Sequence, residues 1–159
     1  MAVNKKFGFS HKSGLLMAVS SLPSEYGIGS FGKPCYDWID FMDKTSTKCW
    51  QVLPLNPTAY GDSPYQSPSS FAGNPYFVDL DELISAGLLS DTDLESQKDC
   101  CERVNYGRLF ETRINVLKKA YSNFKKNAAF TRFCNSNSWW LDDYALFFSL
   151  KEEFNYAPW

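Results

Sequence analysis

Apolar positions form two short unbroken stretches near the start of the chain, Gly14-Leu15-Leu16-Met17-Ala18-Val19-Ser20 and residues 49–55, which contain Trp50-Gln51-Val52-Leu53-Pro54-Leu55. Continuous apolar runs of this length predict strands buried on both faces. Between them, residues 33–44 carry Tyr36, Trp38, Ile39, Phe41 and Met42 on a broad apolar face. Pro34 suits a first helical turn, so this segment predicts a helix. Strand, helix and strand joined by short connections predict a parallel β-α-β unit.

A long loop, residues 56–79, ends this pattern. Residues 81–89 predict a short helix stopped by Gly87. Over residues 106–126, Phe110, Ile114, Leu117, Tyr121 and Phe124 recur at spacings of four and three, which predicts an amphipathic helix with those five on its buried face. Arg108 and Glu111 lie in its first half, and Lys118, Lys119, Lys125 and Lys126 near its end complement the helix dipole. Residues 130–134 predict a shorter helix. Ser138 predicts the cap of another, with Asp142 and Asp143 in its first turn and Leu141, Tyr144, Ala145 and Phe148 on its apolar face. No repeat or low-complexity segment is present.

The pattern defines an α/β chain of two parts: residues 1–79 with both strands, and residues 80–159 with helices only. A two-stranded parallel sheet is not a stable domain. Strands buried on both faces need sheet neighbours, and this sequence supplies none. The pattern thus implies a larger fold.

Composition narrows the function. The 159 residues carry a net charge of −2, which gives no electrostatic footprint for nucleic acid. No apolar window is long enough for a transmembrane helix, so no membrane role is expected. Residues 1–12 lack the apolar core of a signal peptide, which predicts a cytoplasmic protein. Five cysteines without Cys-x-x-Cys spacing predict buried free thiols rather than disulfides or zinc. The single histidine, His11, excludes multi-histidine metal sites and has no triad partner nearby. No metal or cofactor is expected.

Two loops carry candidate chemistry. Gly27-Ile28-Gly29-Ser30-Phe31-Gly32 matches the Gly-x-Gly-x-x-Gly dinucleotide fingerprint and lies between a strand and a helix. Ser21 to Tyr26 intervene between the strand and the first glycine, however, and the second strand ends on Leu55-Asn56-Pro57 without a ribose-binding acid. The glycines are read instead as tight turns and close backbone approaches. The second loop holds Tyr60-Gly61-Asp62-Ser63-Pro64-Tyr65-Gln66-Ser67 and Phe71-Ala72-Gly73-Asn74-Pro75-Tyr76. Its aromatic rings suit stacking on a sugar face, and its amides and hydroxyls suit sugar hydroxyl groups.

These same blocks resemble the 4-alpha-glucanotransferases (amylomaltase or disproportionating enzyme, glycoside hydrolase family 77). The opening block is Gly14-Leu15-Leu16, Ser21-Leu22-Pro23-Ser24, Tyr26-Gly27-Ile28-Gly29 and Phe31-Gly32. The second is Trp50 to Leu55, Pro57-Thr58 and Tyr60 to Ser67; the third is Phe71 to Tyr76 with Asp79-Leu80-Asp81. Weaker matches are Tyr106-Gly107, Trp140-Leu141 and Asp143-Tyr144-Ala145-Leu146-Phe147. The sequence departs from the family's usual pattern at His11, Asn56, Pro68 and Phe110. The Phe110 departure touches a remote second glucan site, not the main cleft.

The resemblance implies the N-terminal fragment of a (β/α)8 TIM barrel: the first two strands and first helix, then a helical insertion subdomain. Both loops would lie on the active-site face, beyond the strands' C-terminal ends. It implies substrate contacts at Tyr60, Ser63 and Tyr65, with Asp62, Gln66 and Asn74 supporting the loop. Tyr65 would pack on the donor side of the cleavage point and Ser63 would bond sugar near the acceptor side. The implied partners are malto-oligosaccharides or other alpha-1,4-glucans, which such enzymes transfer to an acceptor glucan or glucose with retention. Retention requires two carboxyl groups about 5–5.5 Å apart. The family draws these from later strands, and no acid in this chain matches their motifs, so no catalytic residue is assigned. A non-catalytic alpha-glucan-binding protein and a fragment of an alpha-amylase-like hydrolase are the alternatives.

Overall fold

The computed structural model describes residues 11–59, 61–99 and 102–158. Strands β1 (Gly14–Leu16) and β2 (Cys49–Gln51) pair in parallel, with Gly14 opposite Cys49 and Leu16 opposite Gln51. Helix α1 (Lys33–Lys44) crosses between them, with Pro34 in its first turn. The β-α-β unit is therefore as the apolar pattern indicated.

The strands are shorter than the predicted 14–20 and 49–55, and they are exposed rather than buried. The chain after β1 winds into a 3-10 turn at Val19–Ser21. Beyond β2, Pro54 has no N–H to offer a ladder. One further ladder bond, from Met17 N to Gln51 O, and a bond from Trp50 Nε1 to Met17 O extend the contact. Leu15, Leu16, Tyr36, Ile39 and Phe41 all face solvent.

Two buried clusters hold the rest. The first joins Val19, Leu22, Ile28, Cys35, Tyr76, Phe77 and Leu109. The second joins Leu80, Leu89, Leu94, Val116 and Ala120. Helix α2 (Leu80–Ser85) starts on an Asp79 cap, and a 3-10 stretch, Asp91–Gln97, follows it on a Ser90–Asp93 capping box. The 3-10 stretch escaped the sequence reading because its polar composition shows no helical apolar period.

Helix α3 (Tyr106–Asn123), capped by Asn105, runs through both clusters. Its buried stripe is Leu109, Arg113, Val116 and Ala120, one position away from the predicted stripe. Phe110 and Tyr121 of the predicted face are exposed. The displacement comes from Arg113: an arginine in the true stripe makes it read as polar. Lys125 and Lys126 lie beyond the helix, so they do not occupy its last turn.

Helix α4 (Ala128–Glu153) is continuous, capped by Asn127, where two helices were expected. Ser138 caps nothing: its hydroxyl bonds back to Asn135 O, and Asn137 Nδ2 donates to Phe133 O. Polar side chains satisfied against their own helix do not end it. No α4 residue is fully buried, although Phe71 meets Trp139 edge to face at 4.6 Å between ring centres. Of the cysteines described, Cys35 is buried, Cys134 partly so and Cys49 exposed, so uniform burial of the thiols does not hold; Cys100 and Cys101 lie outside the described residues.

Leu80, 1% exposed, is the best-buried aliphatic side chain of the second cluster together with Leu94. Leu80→Ala is expected to lower the free energy of unfolding by about 2–5 kcal/mol. Urea unfolding measures it; a loss under about 1 kcal/mol would mean that the site collapses around the deletion or is loosely packed.

Candidate functional site

The long loop is built in tiers. At its base, Asn74 N donates to Leu55 O at 2.8 Å and Asn56 Nδ2 to Ala72 O at 3.1 Å, closing residues 55–74 on themselves. Above that, Ala59 N donates to Gln66 O, Asp62 N to Ala59 O and Gln66 N to Ser63 O. Gly61 and Asp62 both have positive φ, 86° and 56°, which lets the chain reverse at the tip. The Ser67 and Ser69 hydroxyls brace the descending limb, Ser69 Oγ accepting from Phe71 N and Ala72 N.

Among the expected supports, Asn74 is buried, and its Oδ1 accepts from Tyr76 N at 2.9 Å to start a 3-10 turn, Pro75–Phe77. Gln66 takes part through its backbone. Asp62 does so through its left-handed backbone and N–H, while its side chain is exposed. The carboxylate also acts at a distance: burial, and after it the Asp62 charge, raises the Tyr76 pKa. Of the expected contacts, Tyr65 is 74% exposed and Ser63 half-buried, with Ser63 Oγ accepting from Tyr65 N at 3.3 Å. Tyr60 lies outside the described residues.

The loop after β1 approaches the other's base. Phe31 N donates to Phe77 O, and Ser30 Oγ donates to Asp79 Oδ2 at 2.5 Å. The other Asp79 oxygen caps α2 through Glu82 N at 3.0 Å. A Cβ on Gly32 would collide with the Asp79 carboxylate, and one on Gly29 with Val19 O. These glycines serve close backbone approach, which agrees with the structural reading of the fingerprint-like run. Gly27 turns at φ 77°.

The residue that sequence reasoning missed is Arg113, 1% exposed between the two clusters. Its Nη2 donates to Tyr26 O at 2.8 Å, its Nη1 to Tyr76 O at 3.3 Å and its Nε to Gln97 Oε1 at 3.0 Å. One side chain thus holds a carbonyl from each loop. Desolvation lowers its pKa to about 10, which leaves it charged at neutral pH. Its place at i+4 from Leu109 and i−3 from Val116 is the signal that could have revealed it.

A small cavity of about 80 Å³ lies where the loops meet, lined in part by Ser20, Leu55, Thr58, Pro64, Asn74 and Tyr106. It is far below the roughly 300–1,000 Å³ of ligand pockets. The larger hollow, about 220 Å³, is lined by Leu150, Lys151, Phe154, Ala157 and Pro158, with no residue of either loop. Among the described residues the loop presents the exposed Tyr65 ring and no enclosed site of ligand size beside it. Among the described residues no cluster of potential metal ligands occurs, and no helix is long and apolar enough to cross a membrane.

The strand-helix-strand unit thus carries a loop with an exposed aromatic ring beyond its second strand. The solved amylomaltase from Streptococcus agalactiae, in complex with acarbose, superposes with a TM-score of 0.84 at 40% identity, covering 93% of this chain and 31% of that one. The 4-alpha-glucanotransferase family model matches residues 17–159. The 4-alpha-glucanotransferase of Clostridium butyricum is 50% identical over 90% of this chain, and that of Thermus thermophilus 44% over 92%. The chain belongs to the 4-alpha-glucanotransferase family, and it spans about 30% of the length of these relatives.

Tyr26 gives a pH test of the loop contacts. Its hydroxyl donates to Asp81 Oδ1 at 2.5 Å, and burial, then that carboxylate, push its pKa well above the ordinary 10.0. The folded state holds the proton more tightly than the unfolded chain. Its contribution to stability is therefore complete below about pH 10 and is lost as pH rises beyond it. Tyr26→Phe is expected to flatten the fall in Tm between about pH 10 and about pH 12. An unchanged slope would show that this phenol is not held by Asp81.

Proposed function

We propose that this chain supplies the first two strands, the first helix and the glucan-facing loops of a (β/α)8-barrel 4-alpha-glucanotransferase, with residues 80–159 as a helical insertion. The reaction is transfer of alpha-1,4-glucan segments to an acceptor glucan or glucose, with retention. The observation that carries this reading is Tyr65: an aromatic ring 74% exposed at the tip of a loop whose backbone is otherwise bonded tier by tier. Exposing a ring costs apolar burial, and a braced loop fixes where it stands. In this reading Tyr65 takes a sugar face on the donor side, Ser63 bonds a sugar hydroxyl near the acceptor side and Tyr60 adds to glucan binding. Asp62, Gln66 and Asn74 hold the loop.

The chain alone is then inactive, because the paired carboxyl groups that retention requires are not among its assigned residues. The uncovered faces of β1, α1 and α4, with Leu16, Tyr36, Phe133 and Trp139 exposed, fit contact with the remaining length of such an enzyme. The free thiols Cys35, Cys49 and Cys134 fit a reducing, cytoplasmic setting.

The test joins the 159-residue chain, with both of its strands, to the remainder of the Clostridium butyricum relative. Given maltotriose, this chimera is expected to make a ladder of longer oligosaccharides plus glucose, and the purified 159-residue chain none. A ladder from the chain alone would refute its inactivity; a folded chimera without one would refute the assignment.

In the active chimera, Tyr65→Ala is expected to cost about 1–3 kcal/mol of sugar contact, on the scale of aromatic stacking against nucleic-acid bases. If the contact strengthens in the transition state, turnover falls with affinity. Tyr65→Phe should be mild. Unchanged kinetics with a lowered Tm would mean that Tyr65 only wedges the loop.

A further inference from the structure

We propose that Arg113 and the Ser30–Asp79 pair form a clasp that sets the spacing of the two loops and thereby positions Tyr65 and Ser63 for an alpha-glucan, without touching it. The inference rests on the glucan-binding reading of those loops. The loop after β1 packs on the foot of the long loop through Val19, Leu22 and Ile28 against Tyr76 and Phe77, and polar ties cross the same seam. Arg113 bonds Tyr26 O in the first and Tyr76 O at the foot of the second. Ser30 Oγ reaches Asp79 across the same gap at 2.5 Å, beside the Phe31 N to Phe77 O bond.

The two ties are rigid for different reasons. The guanidinium is planar with donors in a fixed fork, so three acceptors around it are held at set directions. Its burial excludes competing water, which strengthens each bond. Asp79 is fixed because its second oxygen is committed to the cap of α2. The long loop is anchored at its base through Leu55, Asn56, Asn74, Tyr76 and Asp79 and on one limb through Phe71 against Trp139, while Tyr65 nearer its tip is 74% exposed. The clasp fixes the limb of the loop that ends at Tyr76 and Asp79, and a shift of that limb moves the tip relative to the loop after β1. A misplacement of about 1 Å can cost on the order of a hundredfold in rate.

Groups around Arg113 support a positioning role. Its three hydrogen-bond partners are neutral oxygens, and the carboxylate felt through space is that of Asp79. A residue needed only to fill the seam between two apolar clusters would not require a charge there.

The experiment uses the chimera and three variants, Arg113→Met, Arg113→Lys and Ser30→Ala, far below each Tm. Arg113→Met and Ser30→Ala are expected to raise the maltotriose KM about tenfold and about threefold, with faster amide exchange over residues 61–72. Arg113→Lys, which keeps the charge but loses the planar fork, is expected to recover only a minor part of the loss. Ser30→Ala removes one hydroxyl and keeps the test alive if Arg113→Met fails to fold. KM values within twofold of the parent, with only Tm lowered, would overturn the clasp as a positioning device. A folded parent chimera that makes no ladder would instead overturn the glucan reading, and the exchange rates then report on the clasp separately.

Discussion

The structure depends on one buried charge. Arg113 sits where the apolar clusters meet on α3, and its fork reaches three oxygens from segments far apart in the chain. A guanidinium taken out of water costs several kcal/mol unless its donors are satisfied. Here three of its donors meet oxygens in buried or half-buried surroundings. Removing the side chain would strand Tyr26 O, Tyr76 O and Gln97 Oε1 as well as open a seam in the core. Arg108 adds a parallel tie: it pairs with Asp99 at 2.6 Å and bonds Ser96 O and Lys98 O. Together the two arginines bind the 3-10 stretch and the loop after β1 to one helix.

That arrangement explains why a sheet of two three-residue strands suffices to place the loops. The sheet contributes direction, and α3 contributes position. Leu109 packs with residues of the loop after β1 and the foot of the long loop, while Val116 and Ala120 pack with α2 and its successor. Helix α3 packs across the boundary between residues 79 and 80. The outer faces of the strands, α1 and α4 remain apolar and open. The chain spans about 30% of the length of its relatives, and in the proposed barrel these faces meet the remaining length.

Much of this was legible in the sequence where local chemistry decides. Pro34, the apolar face of residues 33–44 and two apolar runs were enough for the β-α-β unit, and the Gly-Asp-Ser-Pro-Tyr-Gln-Ser string pointed to the family. Legibility failed where tertiary contacts decide. The stripe of α3 was read one residue off because Arg113 counts as polar until its three acceptors are known. Helix α4 was split because Asn135-Ser136-Asn137-Ser138 resembles a break, and only the bonds back to Phe133 O and Asn135 O show otherwise. The strands were read too long because an apolar run does not reveal where its ladder partner ends. Within the loop, the tier-by-tier bonding and the buried Asn74 could be placed only from coordinates.

A crystal structure of the chimera with a bound malto-oligosaccharide tests the central claim most directly, since it shows both the clasp and what the loops present. The account predicts a glucose ring against the Tyr65 face and a sugar oxygen within hydrogen-bond distance of Ser63 Oγ. Arg113 would still donate to Tyr26 O and Tyr76 O. A glucan seated elsewhere, with Tyr65 folded onto protein and the Arg113 fork bonded to other groups, would contradict it.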